Sequence, residues 1–200
     1  MTLAAPMPPV RAWHSITEPL WSATATEIKD GIAFTQLAPV WQVFLLGDGA
    51  PTRHLQLLTQ GPIGVDVIAM TDVGMDDDDA PAAIAAIEGP RTRRQVWLRS
   101  EKTGEVFSHA TSWWPTTRIR QHLQNPQLPI WASLNQRHAE LYRDLHGLSN
   151  GFCPTLASVF GPGPYWSRHY LLWHGGQPLT LIYEVYSPQL TKYLGAAALP

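Results

Sequence analysis

Three charged residues lie inside segments of the sequence that are otherwise typical of buried β-strands. Arg94 opens the run Gln95–Leu98, Glu184 is the only acid in the run Leu179–Tyr186, and Arg168 lies in the run before it. A charge in such a run is costly unless it meets a partner or a ligand. A guanidinium can hold a carboxylate through two parallel hydrogen bonds, and a carboxylate can orient or accept a hydroxyl proton. These residues are therefore candidates for a binding or catalytic site.

Side chains along a β-strand point alternately to the two faces of the sheet, so each charged residue shares a face with the residues two positions away. This alternation puts Glu184 on the same face as Ile182, and Arg94 on the same face as Val96. Two structural explanations remain open at this point. Each charge could face solvent on the wet side of an antiparallel sheet, or Arg94 and Glu184 could form a structural salt bridge. Arg168 has the same ambiguity, since its strand is expected to pair with that of Glu184.

The sequence lacks the motifs of several common enzyme classes. None of its eight histidines has the helical pairing beside a glutamate that makes a metalloprotease site, so no metal is expected. A Gly-x-Ser-x-Gly elbow and a glycine-rich nucleotide loop are also missing. The single cysteine, Cys153, is expected to be a small buried thiol rather than a nucleophile.

Short helices are predicted in the first half of the chain and again near its middle. Apolar residues at three-and-four spacing predict a helix over residues 37–46. Pro51 opens a second helix that ends near Gly61, so the two form a helical hairpin. One or two helical turns are expected over residues 116–123, and another helix start is expected over residues 130–134.

Strands are predicted to make up most of the rest. Alternating or β-branched runs bounded by turn residues predict strands over residues 63–73, 94–99, 106–113, 165–174 and 178–186. The pair Gly175-Gly176 is a hairpin signal between the last two. Residues 137–146 alternate only loosely. The pattern predicts a single α+β domain with an antiparallel β-sheet and a helical hairpin.

Length, charge and hydropathy restrict the class of protein. The chain has 200 residues and a net charge of −2, so it can bury one core and lacks the basic field that binds nucleic acid. No apolar run approaches the roughly 20 residues that span a bilayer, and the N-terminus has no signal-peptide pattern. We therefore expect a cytoplasmic protein with neither nucleic-acid nor membrane partners.

Two segments are expected to lie outside regular structure. Residues 1–30 mix Pro, Ser and Thr with isolated Trp13 and Trp21, which predicts an irregular N-terminal arm before a domain over residues 31–200. The run Asp76 to Asp79 stands beside Pro81, and four like charges next to a proline predict a solvated loop.

Four short strings, in their order and spacing, resemble the chorismate lyase (chorismate pyruvate-lyase) family. The resemblance extends from about Leu37 to Pro188, and it is to the variety found alongside plastoquinone synthesis in photosynthetic microbes in particular. The strings are Asp48 to Arg53, Arg94 to Leu98 leading to Gly104, Pro129-Ile130-Trp131, and Gly176 to Leu179 continuing through Glu184 to Ser187-Pro188.

The resemblance implies a monomeric, cofactor-independent lyase that eliminates pyruvate from chorismate and leaves 4-hydroxybenzoate for quinone biosynthesis. It implies that Arg94 binds the carboxylate of the substrate and that Glu184 faces the ring hydroxyl, as the catalytic pair. The helical hairpin would act as a flap that encloses the ligand against the sheet. The further substrate-binding positions that it implies are Pro51, Ala110, Ile130 and Arg168.

Three positions depart from the family pattern. Pro51 falls where the family often presents a backbone amide, and proline has no N–H to donate. Ile130-Trp131 replaces a Leu-Gly pair. Thr111 stands where some members carry a buried arginine, and Arg118 or Arg168 is the candidate replacement.

Two other functions remain open. Effector-binding domains of some transcription regulators resemble the same fold, so the chain could be a non-catalytic module that binds an aromatic acid. A basic helix-turn-helix region is missing, which argues against a DNA-binding regulator. The third possibility is a lyase or carrier for another small aromatic acid.

Overall fold

An antiparallel sheet of seven strands is the framework of the described residues, which are 13–123, 130 and 140–197 of a computed structural model. The strands are β1 (Glu18–Thr24), β2 (Ile63–Gly74), β3 (Arg91–Ser100), β4 (Val106–Pro115), β5 (Leu141–Phe152), β6 (Tyr165–His174) and β7 (Gln177–Tyr186). The order across the sheet is β1-β5-β6-β7-β4-β3-β2, and each neighbouring pair is antiparallel. The predicted α+β class and antiparallel sheet are confirmed.

Short helices connect and cover the strands. Helices α2 (Pro39–Leu46) and α3 (Pro51–Thr59) form the predicted hairpin. Pro39 and Pro51 open them at the first helical position, where a missing N–H removes no helical hydrogen bond. Among the helices of the described residues, none has the length and hydropathy that a membrane span requires. The α-helices are α1 (Ala25–Lys29), α2 (Pro39–Leu46), α3 (Pro51–Thr59), α4 (Ile119–His122), α5 (Ala157–Phe160) and α6 (Thr191–Leu194), and the 3₁₀ segments are Ile32–Thr35, Ala82–Ala86, Pro154–Leu156 and Pro188–Leu190.

Both faces of the central sheet are buried. On one face, α2 packs Trp41 and Phe44 against Tyr186 and other residues of the sheet. On the opposite face, Trp13 and Trp113 pack with the side chains that alternate with these along the strands. Strand β7 is therefore buried along nearly its whole length, which explains why its sequence is apolar almost without interruption.

The N-terminal arm is more regular than its composition predicts. Strand β1 pairs with β5, and Thr24 and Glu27 form a reciprocal capping box at the start of α1. The prediction of an irregular segment is therefore wrong for residues 18–29, because edge pairing and a helix cap supply the backbone hydrogen bonds. Trp13 is buried as expected of an aromatic anchor, and residues 1–12 lie outside the described residues.

Strand β5 was not predicted from the sequence. Its twelve residues include Arg143, Asp144 and two glycines, so neither alternation nor β-propensity stands out. It is nevertheless paired on both sides, with β1 and with β6. Pairing and packing override weak local propensity here. The helix start expected over residues 130–134 lies, except for Ile130, outside the described residues.

The acidic run is only partly a solvated loop. Asp76, Asp78 and Asp79 are exposed as expected. Asp77 instead accepts two hydrogen bonds from Arg93 at 2.8 and 3.1 Å, and its side chain is 12% exposed. The solvated-loop prediction is therefore wrong for Asp77, because the buried guanidinium of Arg93 requires an opposite charge.

Candidate functional site

A cavity of about 440 Å³ lies between the sheet and the helical hairpin α2–α3. Its volume falls in the range typical of small-molecule sites. Arg94 and Glu184 both line it, together with Pro51, Ala110 and Ile130, so the structure brings five of the six sequence-predicted site residues together. The sheet also contributes Val65, Val96, Leu98, Ser112, Leu141, Arg143, Tyr170, Leu172 and Ile182, and the hairpin contributes residues 48–54.

Strand register brings Arg94 and Glu184 to the same face. Arg94 stands opposite Ser112, and Glu184 stands opposite Ala110 two residues further along the same strand β4. The two backbones are thus two strand spacings apart, about 10 Å, with an offset of about 7 Å along the strands. The methyl group of Ala110 lies between them and leaves the floor of the cavity open.

Arg94 is a buried cation. It is 2% exposed, and its cavity neighbours include the apolar side chains of Val96 and Leu98. Burial lowers the pKa of Arg94 to about 10, so the guanidinium stays charged at neutral pH. In a cavity where little water competes, such a group favours an anionic partner with carboxylate geometry.

Glu184 is held by three donors. Its Oε2 accepts from Arg168 Nε at 2.8 Å and from the hydroxyl of Tyr186 at 2.5 Å, and its Oε1 accepts from the hydroxyl of Tyr170 at 3.1 Å. Burial, and next the charge of Glu184, raise the pKa of Tyr170 to about 12, and burial raises the pKa of Tyr186 well above its usual range. Both phenols therefore stay protonated and donate to the carboxylate.

Arg168 occupies a different place from the one predicted. It does not line the cavity, and its side chain is fully buried next to Glu184. Its Nη1 donates to the carbonyls of Phe44 at 3.3 Å and Leu45 at 2.7 Å, in the last turn of α2. The salt bridge that the sequence left open was between Arg94 and Glu184, whereas the structure shows one between Arg168 and Glu184. Arg168 supports the site and the helical hairpin rather than contacting the cavity.

The hairpin presents the start of α3 to the cavity. Pro51 is the first helical residue and lines the cavity without an N–H, as its sequence predicts. No side chain caps this helix start, where Ala50 is the N-cap residue. The free N-terminal end of a helix carries partial positive charge, which favours an anion nearby.

The other departures from the family pattern lie elsewhere. Thr111 is fully buried, and alternation along β4 puts it on the opposite face from Ala110. Arg118 forms a salt bridge with Glu88 at 2.9 Å on the surface, so it does not replace a buried arginine in the cavity. Ile130 lines the cavity, whereas Trp131 lies outside the described residues.

Tyr170, Arg143 and His54 are among the cavity residues that were not predicted from the sequence. Tyr170 was overlooked although alternation puts it on the same face of β6 as Arg168. Arg143 had no signal, because its strand was not recognised; its Nη1 donates to the carbonyls of Asp48 and Gly49 in the turn between α2 and α3. His54 of α3 is half-buried, and burial and then the positive charge of Arg168 lower its pKa.

A metal site is not apparent in the part of the chain that the structure describes. Over residues 13–123, 130 and 140–197, no group of three or more His, Cys, Asp or Glu side chains is arranged to hold a metal ion.

Comparison with known sequences finds a matching family model and related proteins. A family model described as "Chorismate pyruvate-lyase Rv2949c-like" matches residues 45–194. The "Uncharacterized protein ycf21" of Cyanophora paradoxa is 33% identical over 172 residues, which cover 86% of this chain and 89% of that protein. The ycf21 protein of Pyropia yezoensis is 31% identical over 160 residues, covering 80% and 87%.

Comparison with solved structures shows the fold. The crystal structure of PhnF from Mycobacterium smegmatis matches with a TM-score of 0.53 at 12% identity, covering 72% of this chain and 66% of that one. Its effector domain alone matches with the same score, and 92% of that domain is covered. At this identity, the similarity is one of architecture and carries no function with it.

Proposed function

Because the chain belongs to the Rv2949c-like chorismate pyruvate-lyase family, we propose that it converts chorismate to 4-hydroxybenzoate and pyruvate. The ether bond between the ring and the enolpyruvyl group breaks, and the neighbouring ring carbon loses its hydrogen. The enolpyruvyl group gains one hydrogen and becomes pyruvate, while the ring becomes aromatic. This balance needs no external oxidant or reductant, so the task of the protein is positioning and electrostatic stabilisation.

The observation that carries the proposal is the presence of Arg94 and Glu184 in one cavity under a helical flap. We assign Arg94 to the ring carboxylate, because a buried guanidinium can bind a carboxylate through two parallel hydrogen bonds. Glu184 is assigned to the ring hydroxyl at the other end. Its Oε1 accepts one hydrogen bond, from Tyr170, and retains capacity for a second.

The helical hairpin α2–α3 provides enclosure in this proposal. Arg168 ties its first helix to Glu184 through the carbonyls of Phe44 and Leu45, so the flap and the carboxylate are positioned together. A closed flap excludes water and strengthens the contact between Arg94 and the carboxylate. The same tightness makes product release depend on flap opening, so we expect release to be slow.

The wider setting belongs to the same proposal. We expect a monomeric enzyme that acts in the cytoplasm without a cofactor. Its product would enter quinone biosynthesis, as a precursor of plastoquinone or ubiquinone.

The test is to incubate the purified protein with chorismate and to measure 4-hydroxybenzoate and pyruvate in the same samples. We expect the two products to appear in equal amounts. Arg94→Met should lower kcat/KM roughly 100-fold, because it removes a charge-assisted contact with the substrate. The matched control is Arg99→Met on the same strand, whose arginine pairs with Asp66 at the surface and lies outside the cavity; its kinetics should match the wild type.

The main alternative is a module that binds an aromatic acid without converting it. Such a protein would bind 4-hydroxybenzoate or chorismate in a titration and release no pyruvate. That result, or equal kinetics of the Arg94 and Arg99 variants, would contradict the proposed function.

A further inference from the structure

We propose that Arg143 binds the second carboxylate of the substrate, the one on the enolpyruvyl group, and thereby joins the substrate to the flap. The inference rests on the proposed lyase function. Chorismate carries two carboxylates, whereas 4-hydroxybenzoate carries one. A residue that binds the second carboxylate therefore distinguishes substrate from product.

The charges around the cavity point to Arg143. One guanidinium pairs with one carboxylate, so Arg94 leaves the second carboxylate for another cation. Among the described residues that line the cavity, the other arginines are Arg53 and Arg143. Arg53 is exposed on α3, where water weakens an ion pair. Arg143 is partly buried, which favours it for a desolvated anion.

The geometry of Arg143 fits a second anion site. Its Cζ lies 4.6 Å from the ring centre of Tyr170, a cation–π contact that holds the guanidinium against a residue of the cavity wall. Its Nη1 is engaged by the flap. Its Nε is buried and has no hydrogen-bond partner among the described residues, and an orphaned buried donor is costly unless a ligand satisfies it.

Arg143 and Arg94 border the cavity from opposite sides. Arg94 lies on β3 and Arg143 on β5, with β4, β7 and β6 between them. Their backbones are four strand spacings apart, about 19 Å, and both side chains reach the same cavity. A ligand with a carboxylate at each side is thus held from both, while a ligand with one carboxylate engages Arg94 alone.

The flap contact gives Arg143 a second effect. The carbonyls of Asp48 and Gly49 belong to the turn between α2 and α3, and they share the guanidinium with the proposed carboxylate. While the carboxylate is bound, Arg143 links substrate, sheet and flap. The elimination leaves that carboxylate on pyruvate, so Arg143 no longer links the ring to the flap, and the departure of pyruvate favours opening before 4-hydroxybenzoate leaves.

The experiment compares substrate with product in three variants, Arg143→Met, Arg143→Lys and Arg53→Met. For each, KM and kcat for chorismate and the Kd for 4-hydroxybenzoate are measured. We expect Arg143→Met to raise KM for chorismate roughly tenfold or more and to change the Kd for 4-hydroxybenzoate less than about threefold. Arg143→Lys should recover part of the loss, because it restores the charge without the planar fork.

Three outcomes would overturn the proposal. Equal changes in KM and in Kd would make Arg143 a tether of the flap only. Unchanged values in a folded Arg143→Met, verified by circular dichroism and thermal melting, would remove any role. A selective loss in Arg53→Met instead would place the second carboxylate at the exposed rim.

The inference is testable even if the lyase proposal fails. If the wild type binds chorismate without converting it, Kd values for chorismate and 4-hydroxybenzoate replace the kinetics. A selective loss of chorismate affinity in Arg143→Met would then support the second carboxylate site, whereas the lack of conversion would contradict the proposed lyase function. Equal affinities of wild type and variant would overturn the site alone.

Discussion

At the scale of single residues, Glu184 is a carboxylate that the fold has already supplied with partners. Its three donors come from β6 and β7, and its side chain is 4% exposed beside a fully buried Arg168. Removing only one charge of such a buried ion pair is costly, because the remaining charge is then buried without a partner. Loss of activity in a Glu184 variant would therefore mix chemistry with folding, and the two need separate measurements.

We expect Glu184→Gln to lower the free energy of unfolding by about 3 kcal/mol, because Arg168 keeps its charge without a counter-ion. The double variant Glu184→Gln/Arg168→Met should be less destabilised than the sum of the single variants by at least about 1 kcal/mol. Urea unfolding of the four proteins measures this coupling. Additive losses would mean that the pair is not coupled.

The matched control for this pair is the exposed ion pair of Arg99 and Asp66. Its side chains are 36% and 45% exposed. Asp66→Asn should change the urea midpoint far less than Glu184→Gln does, because water already solvates both charges.

At the scale of elements, the helical hairpin is held to the sheet by two kinds of contact. Apolar side chains of α2 face the sheet, with Phe44 5.0 Å from the ring of Tyr186. Arginines from β6 and β5 donate to carbonyls of the last turn of α2 and of the turn that follows it. Carbonyls at a helix C-terminus have no helical partners, so these contacts satisfy them and also fit the helix dipole.

We expect Phe44→Ala to destabilise the protein by about 3–5 kcal/mol, because it leaves a cavity between α2 and Tyr186. Backbone amides of residues 39–59 should exchange hydrogen faster than in the wild type, since the flap undocks more often. The neighbouring Val43 is 69% exposed, so Val43→Ala should change the free energy of unfolding by less than about 0.5 kcal/mol. Similar exchange in both variants would contradict a docked flap.

At the scale of the whole molecule, a sheet covered on both faces places histidines where burial disfavours the charged imidazole. His109 is fully buried, and burial lowers its pKa well below the usual value. His169 stacks on Tyr183 at 5.9 Å, and burial lowers its pKa to about 4. The imidazole of His169 has room because Gly147 lies opposite it on β5. A Cβ at position 147 would lie 2.2 Å from the imidazole ring.

These histidines predict loss of stability in acid. Well above pH 6.5, His169 is neutral in the folded and the unfolded chain alike. Between pH 6.5 and about 4, mainly the unfolded chain takes up the proton, so the free energy of unfolding falls as the pH falls. The loss reaches about 3 kcal/mol for His169 near pH 4.

Urea unfolding at several pH values between 8 and 4 measures this effect. His169→Gln should have a shallower loss of stability than the wild type over that range. Its difference from the wild type should become constant toward pH 8, where the histidine is almost entirely neutral in both states. Parallel profiles down to pH 4 would exclude His169 as a source of acid sensitivity.

Much of the fold follows from the sequence alone. The hairpin α2–α3 is determined by apolar spacing and by two prolines at helix starts, and β3, β4, β6 and β7 by alternation with glycines at the turns. Alternation also put Glu184 on one face with Ile182, as the cavity has it. These features depend on backbone preferences within a few residues, so a single sequence can express them.

The tertiary structure alone decided how the site is assembled. Glu184 pairs with Arg168, and Arg143 reaches the flap turn from a strand more than ninety residues later in the chain. Strand β5 itself exists because β1 and β6 pair with it on either side. The pairing of these charged side chains depends on strand register and on burial, both of which involve segments far apart in the chain. Local sequence patterns do not encode such long-range interactions.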